Sequence, residues 1–256
     1  MKTAILFFSH IVNQMTLIRY DELARGKPAD YDLYWVIQTE GENLHRLPEG
    51  INAIPFKYDD LSSLGYTPIH QNHIIGCSNF IVERFFLSHP YYDYVWTVEY
   101  DVMFTGKWEL FFDAFENNRA DLLSSHIESY SKANSDWPWW HPAIWGKEYI
   151  SMGKRIKSFN PIYRLSAAAL TLLDELLRKS NAGHYEMFVP TMLHHHGLSL
   201  CDIGGDGRFT PIELRNKFYV SDHGINNGTM RYRPLFSEKY IEALGIKNRL
   251  FHPVKF

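Results

Sequence analysis

The chain has 256 residues, 45% hydrophobic and 16% aromatic, with a formal net charge of −3 and two cysteines. That length and apolar content suit one large α/β domain or two small ones and exclude a disordered chain. Slight acidity without a Lys/Arg-dense block disfavours nucleic acid and anionic membrane as partners, while Cys77 and Cys201, both in apolar stretches, form neither a disulfide framework nor a metal motif and suit a reducing, cytoplasmic setting.

Residues 3–8 form a continuous apolar run, too short for a signal-peptide core and followed by Ser9, His10, Asn13 and Gln14 rather than a cleavage site. It reads as a first strand. Met15, Leu17, Ile18, Leu23 and Ala24 suggest a short helix, and residues 32–38, with Leu33-Tyr34-Trp35-Val36-Ile37, a second strand buried on both faces. Residues 52–56 make a shorter strand, after which Ile74, Cys77, Ile81 and Phe85 recur at helical spacing up to Pro90. A further strand starts at Tyr94, a helix carries Trp108, Phe111, Phe112 and Phe115, and residues 121–125 read as strand. This alternation predicts a Rossmann-like, mostly parallel central sheet flanked by helices, with ligands at the carboxyl ends of its strands, where Ser9, His10, Gln38, Thr39, Glu99 and Asp101 fall.

The second half is less regular. Residues 126–160 hold Trp137, Trp139, Trp140 and Trp145 without clear periodicity, which predicts a long functional loop. Residues 162–165 read as a short strand, followed by a helix with Leu165, Ala169, Leu172, Leu173, Leu176 and Leu177 on one stripe. Tyr185, Phe188, Val189, Met192 and His196 define another helix, stopped by Gly197 and either kinked or opened by Pro190. With no linker or repeat, residues 1–256 are expected to be one domain. No apolar stretch approaches the ~20 residues of a membrane span, so any membrane association is expected to be peripheral.

The most informative segment is 94–106, an apolar, β-branched run ending in Glu99-Tyr100-Asp101. Read as strand, it turns both carboxylates to one side, about 7 Å apart. Two carboxylates at the tip of a buried strand are costly unless a cation sits against them, although an edge strand facing water is the plain alternative. Glu99-Tyr100-Asp101 resembles the Asp-x-Asp-type motif of the nucleotide-sugar glycosyltransferases of the GT-A fold. That resemblance implies Mn²⁺ or Mg²⁺, a nucleotide-sugar donor and a saccharide or glycan acceptor, with residues 1–125 as the nucleotide-sugar-binding half and 126–256 as the acceptor-binding half. It also implies a C-terminal His completing the site, here His252, with Lys255 as phosphate contact. Glu rather than Asp at position 99 departs from the common motif and leaves Asp101 the firmer ligand.

Glu186, before or within the first turn of an apolar helix, is the candidate general base of an inverting transfer; the resemblance places an acidic residue similarly, and an ordinary first-turn Glu is the alternative. Trp137, Trp139 and Trp140 are candidate acceptor-stacking rings or core, and Arg231 and Arg233 candidate diphosphate contacts or surface ion pairs. His223 competes with His252; Asp202 and Asp206 read as turn residues. His194-His195-His196 fan out by ~100° each and cannot converge on one ion, and His70 and His73 lack the rest of a zinc motif. There is no G-x-S-x-G elbow, P-loop or G-x-G-x-x-G after a strand. A metal-dependent sugar-phosphate hydrolase and a non-catalytic carbohydrate-binding protein remain alternatives.

Overall fold

In β1 (Thr3–Ser9) consecutive side chains go to opposite faces: Ala4 and Leu6 enter one apolar core, Ile5 and Phe7 the other. A strand covered on both sides has to be apolar throughout, which is why this run does not alternate. The computed structural model describes residues 1–39, 48–70, 75–146, 149–222 and 227–255.

After β1, Asn13 caps α1 (Gln14–Gly26) by accepting from the Met15 and Thr16 amides. There follow β2 (Tyr31–Gln38), β3 (Ala53–Phe56), α2 (Tyr58–Ser62), α3 (Asn79–Ser88), β4 (Tyr94–Glu99), β5 (Met103–Phe104), α4 (Trp108–Asp113), β6 (Leu122–Ser129), β7 (Ala143–Ile144), β8 (Ile156–Ser166), α5 (Ala167–Arg178), β9 (Ala182–Gly183), α6 (Tyr185–His195), β10 (Leu200–Asp202), α7 (Glu238–Leu244) and β11 (Leu250–Phe251). Seven strands form the central sheet in the order β10-β6-β8-β4-β1-β2-β3. Within it β8 alone runs antiparallel to its neighbours, β4 and β6. The result is the expected mostly parallel α/β sheet between helical layers. Residues of α3, α5 and α6 fill one core, and residues of α1 and α4 the other.

Two expectations need correction. β4 stops at Glu99, and a turn over Tyr100 and Asp101, closed by Val102 N–H donating to Glu99 C=O at 3.0 Å, replaces the extended strand. The stretch read as a loop up to residue 160 contains the end of β6 and the start of β8, so β8 is eleven residues rather than the four expected. α6 spans the expected residues through Pro190 to His195, and of the two positions left open for the proline it takes the one inside the helix. Ile74, His73 and His223 lie outside the described residues. No helix among the described residues is long and apolar enough to cross a membrane.

Candidate functional site

The turn after β4 does what strand alternation was expected to do. Glu99 ends the strand, Asp101 lies in the turn, and both carboxylates converge on His252, whose Nε2 is 3.6 Å from Glu99 Oε2 and 3.5 Å from Asp101 Oδ1. His252 is carried in by the returning C-terminal segment. Its amide donates to Thr229 C=O, Arg231 N–H donates to its carbonyl, and Val254 N–H donates to Asp101 C=O. β11 pairs with β5, and Phe236, Ile241, Phe251 and Val254 form a small core behind it. An Arg19–Glu238 ion pair ties α7 to α1.

The electrostatics of this cluster fit a cation. Asp101 is buried and its Oδ1 accepts no hydrogen bond; burial raises its pKa, His252 opposes the rise and Glu99 adds to it. His252 Nδ1 faces the Arg231 carbonyl at 2.9 Å, and since a carbonyl only accepts, Nδ1 carries hydrogen and Nε2 is the nitrogen aimed at the carboxylates. Burial lowers the His252 pKa, but the neighbouring Glu99 carboxylate and the Asp101 charge outweigh it and the net shift is upward. Two carboxylate oxygens and Nε2 lie within 4.8 Å of one another, the one such grouping among the described residues. Oxygen donors with one imidazole suit Mn²⁺ or Mg²⁺, so the residues present fit such an ion.

Two adjoining cavities share Glu99, Asp101 and Lys255. The first, about 290 Å³, lies at the carboxyl ends of β1, β2 and β4, and Ser9, His10 and Gln38 line it. The Ser9 hydroxyl donates to Ile11 C=O and accepts from Trp35 Nε1–H at 2.8 Å, so it is already engaged. His10 is exposed and packs edge-on against Tyr100. Lys255 Nζ is 3.9 Å from Asp101 Oδ2. The second cavity, about 300 Å³, is lined by Trp139, His184, Tyr185, Glu186, Arg233 and His252 among others. A larger groove of about 850 Å³ beside α4 holds Glu109 and Asp113, both exposed, and has no convergent buried groups.

Glu186 sits in the first turn of α6, 7% exposed, with Oε1 accepting from Asn160 N–H at 3.1 Å. Burial pushes its carboxyl up to about 7 against the Asn160 hydrogen bond, with Glu99 adding to the rise. A carboxyl poised near neutrality in a cleft has the pKa a general base needs.

Other candidate residues are redistributed. Trp140 is fully buried and Trp137 6% exposed, packed on each other and on Met187, so their rings belong to a core and present no face to a saccharide. Trp139 is the one of the three that lines the second cavity. Arg231 folds its guanidinium onto Phe236, 3.6 Å from the ring centroid, and donates to Pro234 C=O, so it faces neither cavity and contributes its carbonyl instead. Arg233 is exposed and lines the second cavity. Asp202 accepts from Gly204 and Gly205 amides and from Tyr219, the turn role expected of it. His184 is the residue the sequence reading missed. Its only sequence signal is its place two residues before Glu186, at the N-cap of α6.

No protein-family model matches this sequence, and neither does any curated protein. Among solved structures, a protein from Bacillus anthracis assigned as a glucose-1-phosphate thymidylyltransferase, in complex with sucrose, is 12% identical over 78% of this chain and 86% of its own, with a TM-score of 0.41. The bifunctional IspDF from Campylobacter jejuni is 10% identical over 83% of this chain and 52% of its own, with a TM-score of 0.42.

Proposed function

We propose that this chain is a GT-A-type glycosyltransferase that moves a sugar from a nucleotide-diphosphate donor to a saccharide or glycan acceptor. The observation that carries the reading is the Glu99–Asp101–His252 cluster at the boundary of two cavities, with a near-neutral carboxyl in the second. Glu99, Asp101 and His252 would hold Mn²⁺ or Mg²⁺, which when bound offsets the negative charge that develops on a departing diphosphate.

The remaining roles belong to side chains of the protein. His10 and Gln38 border the cavity assigned to the nucleotide, and Lys255 adds a cation beside the acidic pair where phosphates would lie. Glu186 supplies the basicity that removes the acceptor hydroxyl's proton, which makes the transfer a single displacement with inversion. Trp139 offers its ring to a sugar face and Arg233 frames the mouth of that cavity. The first half of the chain thus forms most of the donor side and the second half most of the acceptor side, with the C-terminal segment closing the boundary.

Calorimetric titration with a panel of nucleotide-diphosphate sugars, with and without Mn²⁺, tests this. Mn²⁺-dependent binding of at least one of them is the expected result. Binding of none removes the transferase reading, and phosphate release from a sugar phosphate without any acceptor replaces it with a hydrolase.

A further inference from the structure

We infer that His184 and Glu186 act as a dyad in which the imidazole Nε2 takes the acceptor proton and the carboxylate, behind it, holds Nδ1–H; this rests on the transferase reading above. The two groups meet because His184 occupies the N-cap position of α6 and Glu186 lies in its first turn. His184 Nδ1 is 3.8 Å from Glu186 Oε2 and, buried, has no hydrogen-bond partner. A buried ring N–H or lone pair left unpaired is costly, and Glu186 is the acceptor at hand: closing the gap to about 3 Å forms the bond. Such bonds are often long before substrate arrives. The carboxylate is itself fixed, since Oε1 accepts from Asn160 N–H.

The ring is held where a base has to be. Trp139 stacks on it at 4.6 Å with the planes 9° apart, and both rings line the second cavity. Around its edge lies Gly76, whose φ of +72° and closeness leave no room for a side chain: a Cβ there would stand 2.9 Å from His184 Cδ2. His184 N–H donates to Pro142 C=O, and Tyr185 N–H to Gly76 C=O, fixing the backbone on both sides. Burial also pushes the imidazole down to about 4, so in the resting protein it is neutral and one ring nitrogen carries a lone pair. With hydrogen on Nδ1 facing Glu186, that lone pair is on Nε2.

In the transfer, the acceptor oxygen forms a bond to the anomeric carbon as the bond from that carbon to the diphosphate oxygen breaks, the electron pair leaving with the nucleoside diphosphate. The acceptor's proton passes to His184 Nε2, and the imidazolium so formed is stabilised by the Glu186 carboxylate. A base oriented by a third group is a recurrent arrangement for activating hydroxyl nucleophiles.

Nitrogen-15 NMR of the uniformly labelled, metal-free full chain at about pH 8.5 reads the tautomer directly. Hydrogen on Nδ1 of His184, with loss of that preference in Glu186→Ala, is the expected result. Hydrogen on Nε2 in the unmodified protein, or a tautomer indifferent to Glu186→Ala, overturns the dyad. Kinetics with a nucleotide sugar that binds in the titration above add a second test. His184→Gln and Glu186→Gln should each lower kcat by about 100-fold or more, with donor binding unchanged, and the double variant should be no slower than the singles. Multiplying losses in the double variant also overturn it. If no nucleotide sugar binds, the transferase reading fails and the tautomer still decides whether the pair exists.

Discussion

His252 offers Nε2 to Asp101 Oδ1 at 3.5 Å while its Nδ1 is held by the Arg231 carbonyl at 2.9 Å. One ring nitrogen is therefore fixed by backbone, and the other can only address the carboxylates. Such outer hydrogen bonds orient metal-ligating histidines. Asp101→Asn is expected to weaken Mn²⁺ binding by about 100-fold and His252→Ala by about 10-fold or more. Glu99→Gln should do less than Asp101→Asn, because Glu99 is a third exposed and Asp101 nearly buried. Calorimetry or electron paramagnetic resonance of Mn²⁺ ranks the three. Wild-type Tm should also rise with Mn²⁺ while that of Asp101→Asn stays flat, since a ligand stabilises only the state that binds it.

The role proposed for Glu186 requires stability and turnover to move in opposite directions with pH. Burial holds its carboxyl at about 7 in the folded chain against an ordinary 4.5. A raised acid favours the folded state fully below 4.5, and that advantage is lost as pH rises through about 7. Glu186→Gln should therefore be more stable than wild type at about pH 8.5, by at most roughly 3 kcal/mol, and show little difference at about pH 4. The proposed transfer needs the ionised form, so wild-type kcat should climb through about pH 7 while the Gln variant has no such limb. Thermal melts and a pH–rate profile on the same preparations check both; equal stability at every pH would contradict the buried, strained charge.

The phosphate contact proposed for Lys255 can be told apart from recognition of the base. It lines the first cavity and lies near Asp101, and its side chain is partly exposed. Lys255→Ala should weaken a nucleoside diphosphate by about 10-fold, about 1.4 kcal/mol, and leave the corresponding nucleoside unchanged. Equal losses for both ligands would place Lys255 outside any phosphate contact.

What was readable in the sequence was what local pattern determines. β1, β2, α1, α5 and α6 were visible because each is an apolar run or stripe of sufficient length. Of β8 only residues 162–165 were visible, because Ser158, Asn160 and Pro161 ahead of them look like loop residues; these and the charged Arg164 are buried all the same. Their burial depends on distant partners: Arg164 Nη2 donates to the Asn118 and Ala120 carbonyls, its guanidinium lies 4.1 Å over Tyr94, and Ser124 Oγ meets Asn160 Oδ1 at 2.6 Å. The acidic pair was visible, but the turn that brings it together was not. His252 was reached only through a resemblance, since its approach to Asp101 spans most of the chain. His184 was invisible for the same kind of reason: Trp139 and Gly76, which hold its ring, are far from it in sequence.

Two neighbouring tryptophans allow packing and recognition to be told apart. Trp140 is fully buried, its Nε1–H donates to Asn134 C=O at 2.7 Å, and its carbonyl accepts from Arg155. Trp140→Ala should cost about 3–5 kcal/mol, since the cavity left behind cannot fully collapse, and lower activity only as far as the folded fraction falls. Trp139 is partly exposed, lines the second cavity and stacks on the His184 ring. Trp139→Ala should cost about 1 kcal/mol or less of stability, because most of what is lost is a single stacking contact. Its kinetic effect should be larger than its thermodynamic one: a higher KM for the acceptor from loss of a sugar platform, and a lower kcat from loosening of the His184 ring. Chemical denaturation of both variants, paired with acceptor kinetics, decides the matter; a Trp139→Ala protein that is strongly destabilised yet kinetically normal would move Trp139 into the core alongside Trp137 and Trp140.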